Sequence, residues 1–579
     1  MKRILVLFFL CSEILLCTAC NKNSGEPYEE EETDTSGTTV IVPEDPALSS
    51  SIGFFMSSWA PKTFKAGTFT EATLPASAPY SVTVDASTIT TKISPALFGN
   101  NSNPYMSQMV NQPKLMGHLT NLRPGIIRFP GGNISSIYFW NGQVGVPPAD
   151  APAQLTDADG NKIDPGYWYG NNTADWTLSL NNYYSMLQQT GNEGMITVNY
   201  GYARYSTAAN PVAAAAHLAA DWVRYDNGRT RYWEIGNESN GTWQAGYRID
   251  VTQNKDGQPQ VISGELYGRH YKVFADSMRK AAAETGKTIH IGAQLLEHEP
   301  AIWATDTDKK WNAGVLQQVG ATADFYIVHS YFTPYNTNSN PQEILASAAT
   351  VTRAIYDHVH SSFTANSVAA KPIALTEWNI FAVGSQQMIS QVAGMHAVMV
   401  WGELISNKFG MSSRWDLANA WENGNDHGLF SQGESLSGET KWTPRPAFYY
   451  QYFFQKFLGD RGINAIVTDS NSSISAYAST FSSGEVGLTL VNRANMTRSV
   501  TVNFKNFNPG TRFYWFVLTG GEGVTGFSRK VFVNGAGPAG VSGGPDNYAA
   551  LTPYGANAAA GVKVSLPPMA VVNMVIEKK

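Results

Sequence analysis

The chain has little to work with in three respects. After residue 20 it contains no cysteine: Cys11, Cys17 and Cys20 are all there are in 579 residues. The globular part therefore has no disulfide, no thiol nucleophile and no cysteine-ligated metal. Charge is sparse at 15% of residues, with a net of −6, which argues against a nucleic-acid partner. No uniformly apolar run after the first twenty residues is long enough to span a bilayer. Gly-rich phosphate loops and zinc-protease motifs are also missing, so no cofactor or metal is expected.

Aromatic residues are abundant, at 12% with 15 Trp and 27 Tyr. Core packing accounts for most of them, and some suit stacking against sugar faces. The length suggests two domains plus an export segment. Lys2 and Arg3 precede the apolar run Ile4 to Leu10, and a second apolar cluster leads to Cys17-Thr18-Ala19-Cys20. Short and interrupted by Glu13, this reads as an export signal. Its ending resembles a bacterial lipoprotein signal, with Cys20 as the lipid-modified residue. That implies an outer-membrane lipid anchor and exposure at the cell surface; the alternatives are a periplasmic location, or cleavage near Ala19 and release. Residues 21–48, polar and acidic, read as a disordered tether. Residues 49–92 read as an arm of undefined role, whose alternating segment Ser81 to Thr88 is expected to join a β-layer.

From residue 93 to about 445, strand-like and helix-like segments alternate, the mark of parallel α/β architecture. Eight strands can be assigned: Ile93 to Tyr105, Ile126 to Asn133, Met195 to Ala203, Tyr232 to Ile235, His290 to Leu296, Asp324 to Phe332, Ile373 to Asn379 and Gly410 to Asn419. The expected fold is α/β, a (β/α)8 TIM barrel. From residue 446 to 579 short period-two strands follow without helices, an all-β sandwich.

Two glutamates stand where such barrels keep their chemistry. The fourth strand ends in Gly236 and delivers Asn237-Glu238; the seventh delivers Glu377 between Thr376 and Trp378. Breaking a glycosidic bond requires a proton for the leaving oxygen and an anion for the opposite face of the sugar, and two carboxyl groups supply both. A separation of about 5 Å means retention through a covalent intermediate, and a wider gap means inversion. A lone strand-end Glu is as often a paired structural carboxylate. Glu234, deeper in the barrel, reads that way, as an ion-pair partner for Arg128.

Three motifs, RFPGGNISSIYFW (Arg128 to Trp140), GNESNGTWQAG (Gly236 to Gly246) and TEWNIF (Thr376 to Phe381), resemble those of the clan A retaining glycoside hydrolases. The resemblance is strongest to the family 51 α-L-arabinofuranosidases and their relatives. It implies Glu238 as acid/base and Glu377 as nucleophile. It further implies that Arg128 keeps Glu377 ionised, that Asn237 and Asn133 bind sugar hydroxyls, and that Tyr331, two residues after His329, touches the nucleophile. Trp243 and Trp378 complete the expected substrate-binding set.

The chain departs from the family pattern at Asn240 and Thr376, where acids are usual, and at Gly99 to Tyr105, which lacks an acidic sugar contact. The expected partner is a polysaccharide or oligosaccharide. The alternatives are an endo-β-glycanase of the same clan and a non-catalytic carbohydrate-binding lipoprotein. Tyr167 and Trp168 in the long second loop are candidates for extra subsites or for packing. His358 with His360, and Glu297-His298-Glu299, are weaker candidates for metal and substrate contacts; a solvated helix end and loop explain them as well.

Overall fold

The computed structural model describes residues 40–419, 426–433, 438–468 and 473–579. The export signal and Cys20 lie outside the described residues, as does the tether up to residue 39. The expected tether ends earlier than residue 48, because Asp45 is ion-paired with Lys92 at 2.8 Å and Arg461 at 2.6 Å. No described helix is long and apolar enough to cross a membrane.

Eight parallel strands close into a barrel. In chain order they are Gly99–Asn101, Ile126–Phe129, Glu193–Val198, Tyr232–Ile235, His290–Gln294, Phe325–Tyr331, Ile373–Asn379 and Met411–Arg414. The first is shorter than expected, since Pro95–Phe98 forms a 3-10 turn with Ser94 as its cap. A helix follows each strand, and the eighth is Pro446–Phe457. That helix lies inside the stretch expected to open the sandwich. Its sequence is apolar nearly all round because it is wedged between the barrel and the C-terminal sheet, with Phe453 and Phe457 packed on Phe516 of that sheet at 4.6 and 5.2 Å. A helix covered on two sides loses the amphipathic signature.

The C-terminal region is an eleven-stranded sheet around a core of its own that includes Val84, Leu488, Val502 and Met574. Tyr80–Lys92 is part of this sheet, antiparallel to Arg461–Val467 and parallel to Arg498–Lys505. Along Ala570–Lys578 the side chains alternate between two cores: Val572, Met574 and Ile576 face the sheet's own, while Val571 and Val575 face the barrel's. Burial on both faces is why that strand reads as a continuous apolar run.

The arm at residues 49–59 closes the lower end of the barrel. Phe55 is fully buried there, its ring 5.3 Å from both Tyr232 and Phe325. Around it lie Ile327, on the same strand as Phe325, and Ile126, Met195, Ala374 and Met411, inward residues at the bottom of four further strands. Two residues along, the inward positions turn polar: Arg128 after Ile126, Thr197 after Met195, Glu234 after Tyr232 and His329 after Ile327. The barrel thus has an apolar floor and a polar upper layer, as its strand periodicity dictates.

Candidate active site

Arg128 anchors the upper layer. Its guanidinium donates to Glu234 at 2.6 Å, to Asn237 Oδ1 at 2.7 Å, to Asn101 Oδ1 at 2.9 Å and to Glu377 at 3.3 Å. Glu234 also accepts from Thr197 at 2.7 Å. Asn101 in turn donates to the carbonyls of Thr376 and Ser413, both at 3.0 Å, stitching strand one to strands seven and eight. A planar donor with five N–H groups suits this fan of acceptors.

Glu238 leaves its strand through a tight bend. Gly236 has φ +81°, and a Cβ there would lie 2.6 Å from Ser239 Oγ and 2.8 Å from Tyr200 Cβ. Glu238 itself has φ +42°, a conformation that costs a non-glycine residue about 1–3 kcal/mol and that clusters at functional sites. Its carboxylate accepts from Trp243 Nε1 at 3.0 Å and is 3.0 Å from His329 Nδ1.

Glu377 reaches the barrel interior because strand seven is irregular. Val328 pairs with Leu375, but the next residue, His329, pairs with Glu377, so Thr376 is an extra residue in the strand. Strict alternation from inward-facing Ala374 would turn Glu377 outward; the bulge reverses it, a known device for re-aiming a side chain. Thr376 Oγ1 lies 3.1 Å from His329 Nε2, and Tyr331 donates its hydroxyl to Glu377 Oε1 at 2.9 Å. Acceptor and donor atoms of Glu238, His329 and Glu377 lie within 4.8 Å of one another.

That trio is the one group of potential metal ligands among the described residues. The Arg128 guanidinium already supplies positive charge 3.3 Å from Glu377, which disfavours a dication there.

Two carboxyl groups this close resist ionising together. Burial raises Glu377, and the charge of Glu238 adds to it; His329, Arg128 and Tyr331 act the other way, and the net is a carboxyl above its usual range. Burial also penalises Glu238, but the hydrogen bond and charge of His329, with Trp243 and Arg128, bring it below. His329, itself penalised by burial, is raised by the two glutamates. Arg128 acts on Glu377 in the expected direction, favouring the carboxylate, although its shortest contact is to Glu234 and burial with the Glu238 charge opposes it.

Among the other expected contacts, Asn237 is buried beside Arg128, Trp243 is 61% exposed at the mouth, and Asn133 is exposed at the start of a 3-10 turn. Trp378 is not a substrate contact. It is fully buried behind the barrel against Phe332 and Trp401, because the residue after an inward Glu377 points outward. Tyr167 packs on Phe139 and donates to the Pro152 carbonyl, so it too is structural. Asn240 donates to Asp308, and His358 lies 3.1 Å from Asn312.

The end of strand eight contributes residues that carried no sequence signal. The half-buried Trp415 ring closes over Gly132, where a Cβ would sit 2.6 Å from it. Asp416 is fully buried and accepts from Asn103 at 2.8 Å and Tyr105 at 3.2 Å; burial raises its carboxyl well above the ordinary range.

Residues 118–342 match the family model "Alpha-L-arabinofuranosidase 1 domain". Intracellular exo-α-(1→5)-L-arabinofuranosidases of Streptomyces lividans and Acetivibrio thermocellus are each 26% identical, over 45% and 44% of this chain. The chain spans less than half of either relative, 36% and 46%. Among solved structures, the α-L-arabinofuranosidase of Thermotoga maritima covers 86% of the chain and is itself covered completely, with TM-score 0.58 and 17% identity. The family 44 endoglucanase Cel44A of Clostridium thermocellum also covers 86%, is covered to 99%, and gives 0.52 at 11% identity. In sequence the chain is similar to α-L-arabinofuranosidases, and in fold to family 51 and family 44 glycoside hydrolases. The barrel followed by a sandwich is the fold of these neighbours.

Proposed function

We propose that this chain is a retaining glycoside hydrolase of α-L-arabinofuranosidase type, acting on complex polysaccharides by double displacement. The observation that carries the proposal is the closeness of Glu238 and Glu377, whose carboxyl oxygens come within 4.8 Å across the barrel mouth. That spacing fits attack by one carboxylate and leaves no room for water on the opposite face of the sugar.

In the first step Glu377 attacks the anomeric carbon while Glu238 gives its proton to the leaving oxygen; the glycosidic bond breaks as the glycosyl–Glu377 ester forms. In the second step Glu238 takes a proton from water, which attacks the same carbon and releases Glu377. The reacting form carries the proton on Glu238, whose Oε1 is hydrogen-bonded to His329 Nδ1 at 3.0 Å, and leaves Glu377 ionised. Tyr331 and Arg128 hold Glu377 by hydrogen bonds to its two different oxygens. Asn237, with its carbonyl oxygen held by Arg128, offers its amide N–H to the hydroxyl beside the anomeric carbon, where contacts strengthen in the transition state.

The test is stereochemical. NMR of the first-formed product on arabinan should show retained configuration, and Glu238→Ala supplied with azide should yield a glycosyl azide of retained configuration. First-formed product of inverted configuration would overturn the mechanism. Cleavage of β-glucan or xyloglucan in place of arabinan would move the assignment to an endo-β-glycanase with the same two carboxylates.

We further propose anchoring to the outer membrane through a lipid on Cys20, with display at the cell surface. Cys20→Ala should release the protein from the membrane fraction with its activity unchanged, and continued membrane association would refute this.

A further inference from the structure

A row of three rings leads from Glu377 to the surface. The Tyr331 ring, whose hydroxyl is on Glu377, meets Phe381 at 5.7 Å and 67°, and Phe381 meets Tyr335 at 4.7 Å and 49°. Exposure rises along the row. Tyr331 and Phe381 are half-buried, while Tyr335 is 75% exposed.

The loops that carry the outer two rings are tied together beyond the ends of strands six and seven. Thr333 Oγ1 accepts from the Phe381 N–H at 2.7 Å and donates to the Phe381 carbonyl at 3.0 Å. Asn338 does the same for Val383, accepting at 3.0 Å and donating at 2.8 Å. These side chains continue the pairing after the strands themselves have ended. Four hydrogen bonds that clamp the two loops together make this a built feature of the rim. Packing accounts for Phe381, which is covered on both sides. It does not account for Tyr335, which is held against Phe381 with its outer face in water.

An aromatic face of this kind matches the C–H face of a sugar ring, and a hydroxyl-bearing aromatic suits a site that is apolar in the middle and wet at its edge. The exposed Asn336 and Thr337 beside it supply polar partners for hydroxyls. Tyr335 is two ring-to-ring steps from the residue that touches Glu377, so a sugar on it would be one or two units away from the sugar that reacts.

We propose that Tyr335, backed by Phe381, is a sugar-binding platform beyond the reacting sugar, and that the substrate is accordingly an oligo- or polysaccharide chain bound through several units. This rests on the glycosidase reading above and extends it to a site of its own.

The test uses α-1,5-linked arabino-oligosaccharides of increasing length, the matching xyloglucan and β-glucan oligosaccharides, and the 4-nitrophenyl glycoside of whichever sugar is released. Glu377→Ala comes first: if it cleaves as wild type does, the glycosidase reading fails whatever Tyr335 does. With that control inactive, Tyr335→Ala should lower kcat/KM about 10-fold on the longer oligosaccharides, the size expected of one aromatic contact. It should leave the aryl glycoside unchanged, and Tyr335→Phe should restore the long substrates. Calorimetry with the longest oligosaccharide and the Glu377→Ala protein should show binding weakened by the same factor when Tyr335→Ala is added. Equal loss on short and long substrates, or no loss at any length with binding unaltered, would overturn the proposal.

Discussion

The two ends of the barrel are built from the same strands and made to opposite specifications. At the floor, Phe55 packs among Tyr232, Phe325, Ile126 and Met411. One layer higher, Arg128, Glu234, His329 and Glu377 occupy the same inward rows. The floor gains from burial of apolar surface and tolerates approximate shape. In the upper layer each removal leaves a buried charge or donor without its partner, so that layer is committed to one arrangement. The difference separates two kinds of dependence: the floor governs whether the barrel holds together, and the upper layer governs what it does.

Truncating a glutamate should have the largest effect. Glu377→Ala should abolish turnover of every substrate. Glu238→Ala should lower polysaccharide turnover about 10²- to 10⁴-fold, the usual contribution of a proton donor, and both should unfold close to wild type by calorimetry. A polysaccharide rate within a few-fold of wild type for either variant would remove it from the chemistry.

Next come one substitution at each end. Phe55→Ala should cost about 3–5 kcal/mol in stability without changing kcat measured well below its melting temperature. Arg128→Met should cost a similar amount, about 3–5 kcal/mol, because Glu234 is left buried and unpaired. It should also raise the Glu377 pKa, by removing a cation that favours the carboxylate, and so move the acidic limb of the pH–rate profile upward. If both variants lose stability and neither shifts the pH profile, the two layers do not differ in kind.

A smaller effect concerns pH and stability. His329 is held protonated above its ordinary value of 6.5 by the two glutamates. Its contribution to stability is complete below that ordinary value and is lost as pH rises through the elevated one. The melting temperature of wild type relative to His329→Gln should therefore decline across that interval; a pH-independent difference would contradict an imidazolium between the carboxylates. Smallest of all, Trp243→Phe removes one hydrogen bond to Glu238, worth about 1 kcal/mol. The basic limb of the pH–rate profile should rise by less than one unit, and a downward shift would argue against this hydrogen bond.

The sequence was informative wherever chemistry and periodicity coincide. Glu238 and Glu377 stand at strand ends marked by Gly236, Asn237 and Asn379, and Glu234 could be separated from them by counting back along its strand. Counting also explains the failures. Trp378 was placed in the site for its nearness to Glu377, yet adjacent strand residues face opposite ways. The bulge at Thr376, which alone turns Glu377 inward, has no signature in the residues themselves. Helix Pro446–Phe457 was missed because cover on both sides erases amphipathic contrast. The role of Phe55 depends on contacts with strands up to 356 positions away in sequence (Met411 − Phe55), which no local pattern carries. Trp415 and Asp416 reach the site only through the closure of strand eight on strand one.

Double displacement requires that Glu377 become covalently bonded to the sugar. Glu238→Ala incubated with a 2,4-dinitrophenyl glycoside should accumulate that species, since the good leaving group needs no proton and the absent base slows hydrolysis. Intact-mass and peptide mass spectrometry should show one added glycosyl unit, placed on the peptide that carries Glu377. An adduct on a different carboxylate, or inverted product released with no adduct at any time, would contradict it.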